Sequence, residues 1–313
     1  MNIKNFYIFL VFSLFYFLQF SNGFSNTNLK IKIIIENEII TNYDIIKESD
    51  YLKLLNPNLE NLNNDKVLQI AKNSLITEKI KKKEIEKIFD FNKQNPLIDE
   101  VYKNLFQKIG FDTENEFESL LIKKKNYTPK EIKEKLKIEI YWNDLIFLKY
   151  KNQIIINEND LKNKIKNQKE SIKKEYSLSE IIFEKNTNLN FEEQLKNIKN
   201  SIETVGFNNT ANIYSISNSS KFGGKVGWIN ENSLSKIISQ TLAKLKKGEI
   251  SEVIQIGNNY LLIKIEDIRT SQLAINEEIE LKKMIEFERN QQLNRFSNIY
   301  YNKSKMNYVI NEK

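Results

Sequence analysis

The sequence predicts an α+β fold. A helical module, built from an N-terminal strand, a run of helices and a C-terminal helix, is interrupted by an inserted α/β domain. Three observations lead there. Residues 41–166 repeat apolar side chains at helical spacing behind polar capping residues. Residues 176–269 switch to β-rich runs punctuated by glycine. Two β-prone stubs, one near each end of the chain, have no local partner.

The 313 residues suffice for two modest domains, each with its own core. Lysine and arginine outnumber acidic residues by enough to leave a net charge of +7, with both signs interspersed. Such a balance permits electrostatic binding to nucleic acid. No nucleic-acid motif or long basic block accompanies it, so nucleic acid is not expected as a partner. The chain has 0 cysteines and 0 histidines. That excludes disulfides, thiol nucleophiles, zinc-thiolate sites and histidine triads. Carboxylate chemistry remains, but no carboxylate pair stands out from the charged background, and no cofactor or metal is expected.

The first residues read as an export signal, residues 1–25. Lys4 precedes an apolar run from Phe6 to Phe20, broken by Ser13 and Gln19, and Ser21-Asn-Gly23 follows. A basic start, an apolar stretch of about 15 residues and small residues behind it make up a cleavable secretory signal. The run is shorter than the roughly 20 residues a membrane span needs. The mature chain is expected to begin near Phe24 or Asn26, outside the cytoplasm, with no stable membrane insertion after cleavage. An uncleaved anchor is the other reading of the same residues.

The elements follow in order. Leu29-Lys-Ile-Lys-Ile-Ile-Ile35 is β-branched and predicts a strand, followed by a turn at 36–38. Thr41-Asn-Tyr-Asp44 is a capping box for a helix that ends before Pro57. Val67, Ala71 and Leu75, with Leu68, Ile76 and Ile80 beside them, predict a helix over 65–89. Its charged run, 81–87, reads as a solvated face. A helix with Ile98, Val101, Leu105, Phe106 and Ile109 on one side ends at Gly110. Thr113 caps the next, and Thr128-Pro-Lys-Glu131 caps a longer one with proline where its missing N–H costs nothing. Asn157-Glu-Asn-Asp160 opens the last helix of this module, which spans 26–170.

In the insert, placed at 174–270, a strand covers 176–183 and a helix 191–205. Phe222-Gly-Gly-Lys-Val-Gly-Trp-Ile229 requires tight turns and positive φ, with Trp228 buried behind them. A short helix over 234–245 ends at Gly248. Strands at 250–256 and 260–265 are joined at Gly257-Asn-Asn259, which is hairpin chemistry. Asn276 opens the C-terminal helix, with Met284, Ile285, Leu293, Phe296, Ile299 and Tyr300 as its apolar positions. Residues 308–310 are the second β-prone stub. An isolated strand leaves backbone groups unpaired, so this stub is expected to pair with the N-terminal strand. Residues 271–313 would then complete the helical module.

The segment 176–269 resembles a parvulin-type (PpiC-type) prolyl isomerase domain. The resemblance rests on Tyr176-Ser-Leu-Ser-Glu-Ile-Ile-Phe183, the Phe222–Ile229 glycine motif, Leu242-Ala-Lys-Leu-Lys-Lys-Gly-Glu-Ile-Ser251 and Tyr260-Leu-Leu-Ile-Lys-Ile-Glu-Asp-Ile-Arg269. The whole layout resembles the SurA family of periplasmic chaperones, with one parvulin domain where typical members carry two. That resemblance implies a helical chaperone module with an inserted parvulin-like domain, located in the periplasm. It implies unfolded outer-membrane or envelope polypeptides as partners, and no cofactor.

Carried over residue by residue, the pocket falls at Glu180, Ser217 and Leu261 for the polar positions, and at Val226, Leu234 and Ile238 for the proline slot. Glu180 and Leu261 stand where the family has its two histidines. Glu180 reads either as a solvated strand residue or as a replacement polar group. The expected function is therefore a holdase with a degenerate parvulin domain. The alternative is a weak but active peptidyl-prolyl cis-trans isomerase, since isomerisation makes and breaks no covalent bond. The expected client surface is an apolar groove between module and insert, rimmed by charge.

Overall fold

The structure, a computed structural model, describes residues 29–93, 95–124, 127–166, 173–185, 190–271 and 277–313. The signal read at 1–25 and the capping residue Asn276 lie outside the described residues.

The chain opens with a hairpin of β1 (Ile31–Ile35) and β2 (Glu38–Thr41). The turn places Glu36 at φ 53°, in the left-handed region. Ile33, Ile35 and Ile40 face inward and are fully buried. Thr41 then caps α1 (Asn42–Leu55): its hydroxyl accepts from the Asp44 N–H, and the Asp44 carboxylate accepts from the Thr41 N–H. Next come α2 (Asn64–Glu86) and α3 (Ile98–Lys108). Helix α3 closes in a Schellman motif, with Phe111 N–H donating to Phe106 C=O and Gly110 N–H to Gln107 C=O. Gly110 permits it at φ +95°. Then follow α4 (Glu114–Lys124), α5 (Pro129–Tyr150) behind a Thr128–Glu131 capping box, and α6 (Glu158–Lys166).

The inward faces of β1, β2 and α1–α5 form one core, containing Leu52, Val67, Ala71, Ile80, Tyr102, Phe117 and Ile132. The charged run on α2 is not the solvated face its composition predicts. Lys81 and Glu84 are 5% and 4% exposed. They are covered because each has a partner: Lys81 pairs with Glu139 of α5 at 2.7 Å, and Glu84 accepts from three groups described below.

The insert is a four-stranded antiparallel sheet of order β4-β3-β6-β5. Its strands are β3 (Lys173–Glu184), β4 (Lys225–Asn230), β5 (Ile254–Ile256) and β6 (Asn259–Ser271). The period of two along β3 sorts its side chains onto two faces. Ile181 and Phe183 meet α7 (Phe191–Val205) and α8 (Phe207–Tyr214) through Ile198, Phe207 and Ala211. Tyr176 and Leu178 meet α9 (Lys236–Leu242) through Ile238 and Leu242. Helix α9 is shorter than the sequence predicts and stops before Gly248, whose N–H instead donates to Ile265 of β6 at 2.7 Å.

The C-terminal helix α10 (Glu277–Lys305) returns to the first module. Trp142 of α5 is fully buried against it and donates to the Ser297 hydroxyl at 2.8 Å. Tyr150 stacks on Phe296 at 4.6 Å. Met284 packs on Leu161 and Ile165 of α6. Ile299, predicted as an apolar contact, is 55% exposed. The two terminal stubs do pair: β7 (Ile310–Glu312) lies antiparallel to β1, with Ile35 opposite Ile310 and Ile33 opposite Glu312. Buried Glu84 fastens this closure, accepting from Tyr308 at 2.6 Å, Tyr300 at 2.7 Å and Lys87 at 2.5 Å.

Candidate functional site

The site is built on the central strand pair of the insert. Glu180 lies opposite Ile263, and Leu261 lies opposite Ile182. Glu180 and Leu261 are therefore diagonal neighbours on the same face of the sheet. Helix α9 and the segment before it cover the apolar part of that face. Leu234, Ile238 and Leu261 are all buried in a single cluster with Tyr176, Leu178, Ile254, Ile263 and Ile265. The Ser235 hydroxyl, accepting from the Ile238 N–H, starts α9 at this position.

The polar part is Glu180 itself. Its Oε1 accepts from the Ser217 hydroxyl at 2.6 Å and from the Ser219 hydroxyl at 3.0 Å, and the two hydroxyls are 3.1 Å apart. Burial pushes the Glu180 carboxyl above the ordinary carboxylate range, and the two serine donors only partly oppose it. Ser217 also accepts from the Ser219 N–H, which fixes the turn that presents both serines. Of the residues predicted from sequence, Glu180 and Ser217 meet directly. Leu234, Ile238 and Leu261 meet one another. Val226 joins neither group: it is 42% exposed on the edge strand β4. Leu178 pairs with Gly227 and Ser179 with Lys225, so Val226 is the extra residue of a bulge. Ser219 was not singled out in the sequence. Its signal is the Ser-x-Ser spacing in a turn, which many solvated turns share.

The glycine motif explains how the turn can lie so close to β3. The Glu180 N–H donates to Gly224 C=O at 2.8 Å. A Cβ on Gly224 would stand 2.3 Å from the Glu180 carbonyl oxygen, and its φ is +77°. Only glycine fits both conditions. Trp228, expected to be buried behind the motif, is 42% exposed. It lies on the edge strand, opposite Ser177, and the Arg269 guanidinium sits over its ring at 4.3 Å. That cation also binds Glu175 at 2.7 Å, so the tryptophan closes a surface ladder instead of a core.

The same turn docks the insert onto the helical module. Lys221 pairs with Glu139 at 3.0 Å, sharing that carboxylate with Lys81. Phe222 packs against the module's core beneath the Lys108 ammonium, 3.8 Å from the ring centre. Asn56 donates to Asn212 at 2.6 Å and Asn209 to the Asn58 carbonyl at 3.0 Å. Beside these contacts a cleft of about 370 Å³ runs between α1, α2, α10 and the insert. Its floor includes Ile70, Ile76 and Ile213, but Asn73, Thr77, Asn212, Ser215, Asn298 and Asn302 also line it. The groove is thus more polar than the sequence suggested. Asparagine-rich stretches of α2, α8 and α10 converge there, and sequence periodicity does not reveal which helices face each other.

Among the described residues, no group of three His, Cys, Asp or Glu side chains could hold a metal ion. Among them, too, no helix is long and apolar enough to cross a membrane.

No curated protein matches the chain. Among solved structures, the chain is similar to PEB4 and Cj1289 of Campylobacter jejuni, described as SurA-like chaperones. That similarity has 17% identity and a TM-score of 0.37, over 90% of this chain and 98% of that one. It is similar to PrsA of Bacillus anthracis, a peptidylprolyl isomerase, at 19% identity and a TM-score of 0.30, over 76% of this chain and 98% of that one. For PrsA of Bacillus subtilis the figures are 19%, 0.30, 90% and 93%. Residues 176–267 match the rotamase family described as the PPIC-type PPIASE domain. With its four-stranded antiparallel sheet, its glycine turn against β3 and its apolar cluster under α9, this chain carries a PPIC-type rotamase domain across those residues.

Proposed function

We propose that the protein is a chaperone that holds unfolded polypeptides outside the cytoplasm, with a rotamase domain kept for binding and little used for catalysis. One observation carries this reading. Leu234, Ile238 and Leu261 lie together in one apolar cluster, while the chain has 0 histidines to tune an amide beside it. An apolar slot binds proline and other apolar side chains by removing them from water, at about 25 cal/mol per Å². Isomerisation demands more. The barrier to rotation about the peptide bond is about 18–20 kcal/mol. Lowering it requires groups that favour the twisted amide over the planar one. Leu261 offers none. The secretory-type N-terminus supports export, and the SurA resemblance supports outer-membrane or envelope polypeptides in the periplasm as clients.

A second reading keeps some catalysis, and a specific contact favours it. Glu180 with Ser217 and Ser219 is a polar network in the place of the missing one. Desolvation of an X-Pro amide in the slot would act alongside it.

Two assays on the same preparation separate these readings. Dilution of a urea-unfolded outer-membrane β-barrel into the protein should suppress aggregation at near-stoichiometric amounts. Cis-trans relaxation of a proline tetrapeptide should stay near its uncatalysed rate. No suppression of aggregation refutes the holdase. A robust kcat/KM that survives removal of contaminating isomerases, and that is lost in Glu180→Ala, establishes the second reading instead.

A further inference from the structure

Both serine hydroxyls converge on one oxygen of Glu180, Oε1. Oε2 has no hydrogen-bond partner among the described residues, and no lysine or arginine among them pairs with this carboxylate. Its surroundings are apolar: Leu178 and Ile182 flank it on the same strand face, and Ile263 lies opposite. Three other covered carboxylates are treated differently. Glu48 has Lys135, Glu84 has Lys87, and Glu139 has Lys81 and Lys221. Glu180 is half-buried without a counter-ion among the described residues, so one oxygen of an uncompensated carboxylate lies beside the apolar cluster of Leu234, Ile238 and Leu261. A carboxylate so placed is disfavoured until a cation reaches it. Burial already shifts its proton equilibrium toward the neutral acid.

We propose that Glu180 is a specificity-determining residue of this pocket and that the ligand supplies the missing cation: a polypeptide segment with lysine or arginine beside the proline or apolar residue that fills the slot. This rests on the reading of the pocket as a polypeptide site. The ammonium or guanidinium donates to Oε2, and the serines keep Oε1 in place. The preference opposes the bulk charge. The chain carries +7, so nonspecific attraction would favour acidic peptides. Selection of a basic residue must therefore come from a local carboxylate.

The test uses the full chain and three fluorescent peptides, Ala-Leu-Xaa-Pro-Phe-Ala, with lysine, norleucine or glutamate before the proline. Binding is read by anisotropy at moderate salt for the wild type and for Glu180→Gln. The amide oxygen of glutamine still accepts from Ser217 and Ser219, and circular dichroism checks the fold. The lysine peptide should bind about tenfold more tightly than the norleucine peptide, the scale of one hydrogen bond to a charged group. The glutamate peptide should bind most weakly. In Glu180→Gln the lysine and norleucine peptides should converge to within about twofold. Equal binding of those two by the wild type overturns the proposal and leaves the pocket reading standing. So does a lysine preference that persists in Glu180→Gln. Failure of every peptide to bind overturns the pocket reading itself, and the specificity proposal with it.

Discussion

Replacing Glu139 by glutamine should loosen the attachment of the insert, and the size of the effect can be worked from three side chains. Glu139 is 31% exposed and is shared between Lys81, 7% exposed, and Lys221, 35% exposed. Removing one partner of a fully buried ion pair costs about 3–5 kcal/mol, because the other charge is left without compensation. A pair open to solvent is worth about 0–1 kcal/mol. Lys81 lies near the first limit. Glu139 and Lys221 are about a third exposed and lie between the limits. Glu139→Gln should therefore cost about 2 kcal/mol at pH 7. Lys221→Met should cost less, and the double variant should show a coupling of about 1 kcal/mol. The pH dependence follows from the carboxyl. Burial pushes Glu139 upward, but the Lys221 and Lys81 cations outweigh it and hold the group well below its ordinary value of 4.5. A carboxyl held low in the folded state contributes its stability above the unfolded value. That contribution is lost as the pH falls below about 4.5. Urea denaturation at pH 7 and at successively lower pH reads both quantities. A loss under about 0.5 kcal/mol at pH 7 with no coupling would mean that the cluster is solvated, and the reasoning fails.

Glu180 should behave in the opposite sense. Burial raises its carboxyl in the folded state, so its charge opposes folding at neutral pH and the opposition fades as the pH falls through the raised value. Glu180→Gln should be at least as stable as the wild type at pH 7 in urea titrations, with the difference shrinking toward pH 4; a variant clearly less stable at pH 7 refutes this. Gly224→Ala should lose about 2–5 kcal/mol, since a Cβ would meet the Glu180 carbonyl oxygen at 2.3 Å at a positive φ. An unchanged melting temperature would contradict the packing. Removing residues 306–313 takes away β7 and the Tyr308 hydroxyl that donates to Glu84. Hydrogen exchange should then show deprotection of β1, and protection equal to that of the full chain would show that β7 is dispensable.

The parts of this fold that could be read from sequence are those set by local chemistry. Thr41 and Thr128 announce their helices because the hydroxyl accepts from the N–H three residues on and the carboxylate there accepts from the threonine N–H, which satisfies two orphan groups at once. Gly110 marks the end of α3 for a similar local reason. The pairing of β1 with β7 followed from counting unpaired strands, although β7 begins two residues later than the β-prone stub at 308–310. Long-range partnership was not legible. Lys81 and Glu84 look like any charged run until Glu139, Tyr300 and Tyr308 arrive from distant segments. Trp228 looks like a core residue until β4 proves to be an edge strand with Arg269 over the ring. Helix α8 was missed because Phe-Asn-Asn-Thr-Ala-Asn-Ile-Tyr has too few apolar residues to show a period. At the site, Glu180 and Ser217 were found only through resemblance, and Ser219 not at all.

The turn over 217–224 joins the two halves of this molecule more closely than a linker would. Its serines hold the Glu180 carboxylate, and Lys221 and Phe222 anchor it in the helical module. Gly223 and Gly224 leave it little room to move: a Cβ on the first would lie 2.9 Å from Asn208, and one on the second would strike β3. The backbone between Ser217 and Gly224 is further tied by its own bonds, Gly223 to Ser220 and Gly224 to Ser219. The cleft of about 370 Å³ opens beside this turn, lined by Ser217, Ser220 and Lys221. The cleft and the Glu180 network thus share one eight-residue segment, and that segment also fastens the insert to the helical module.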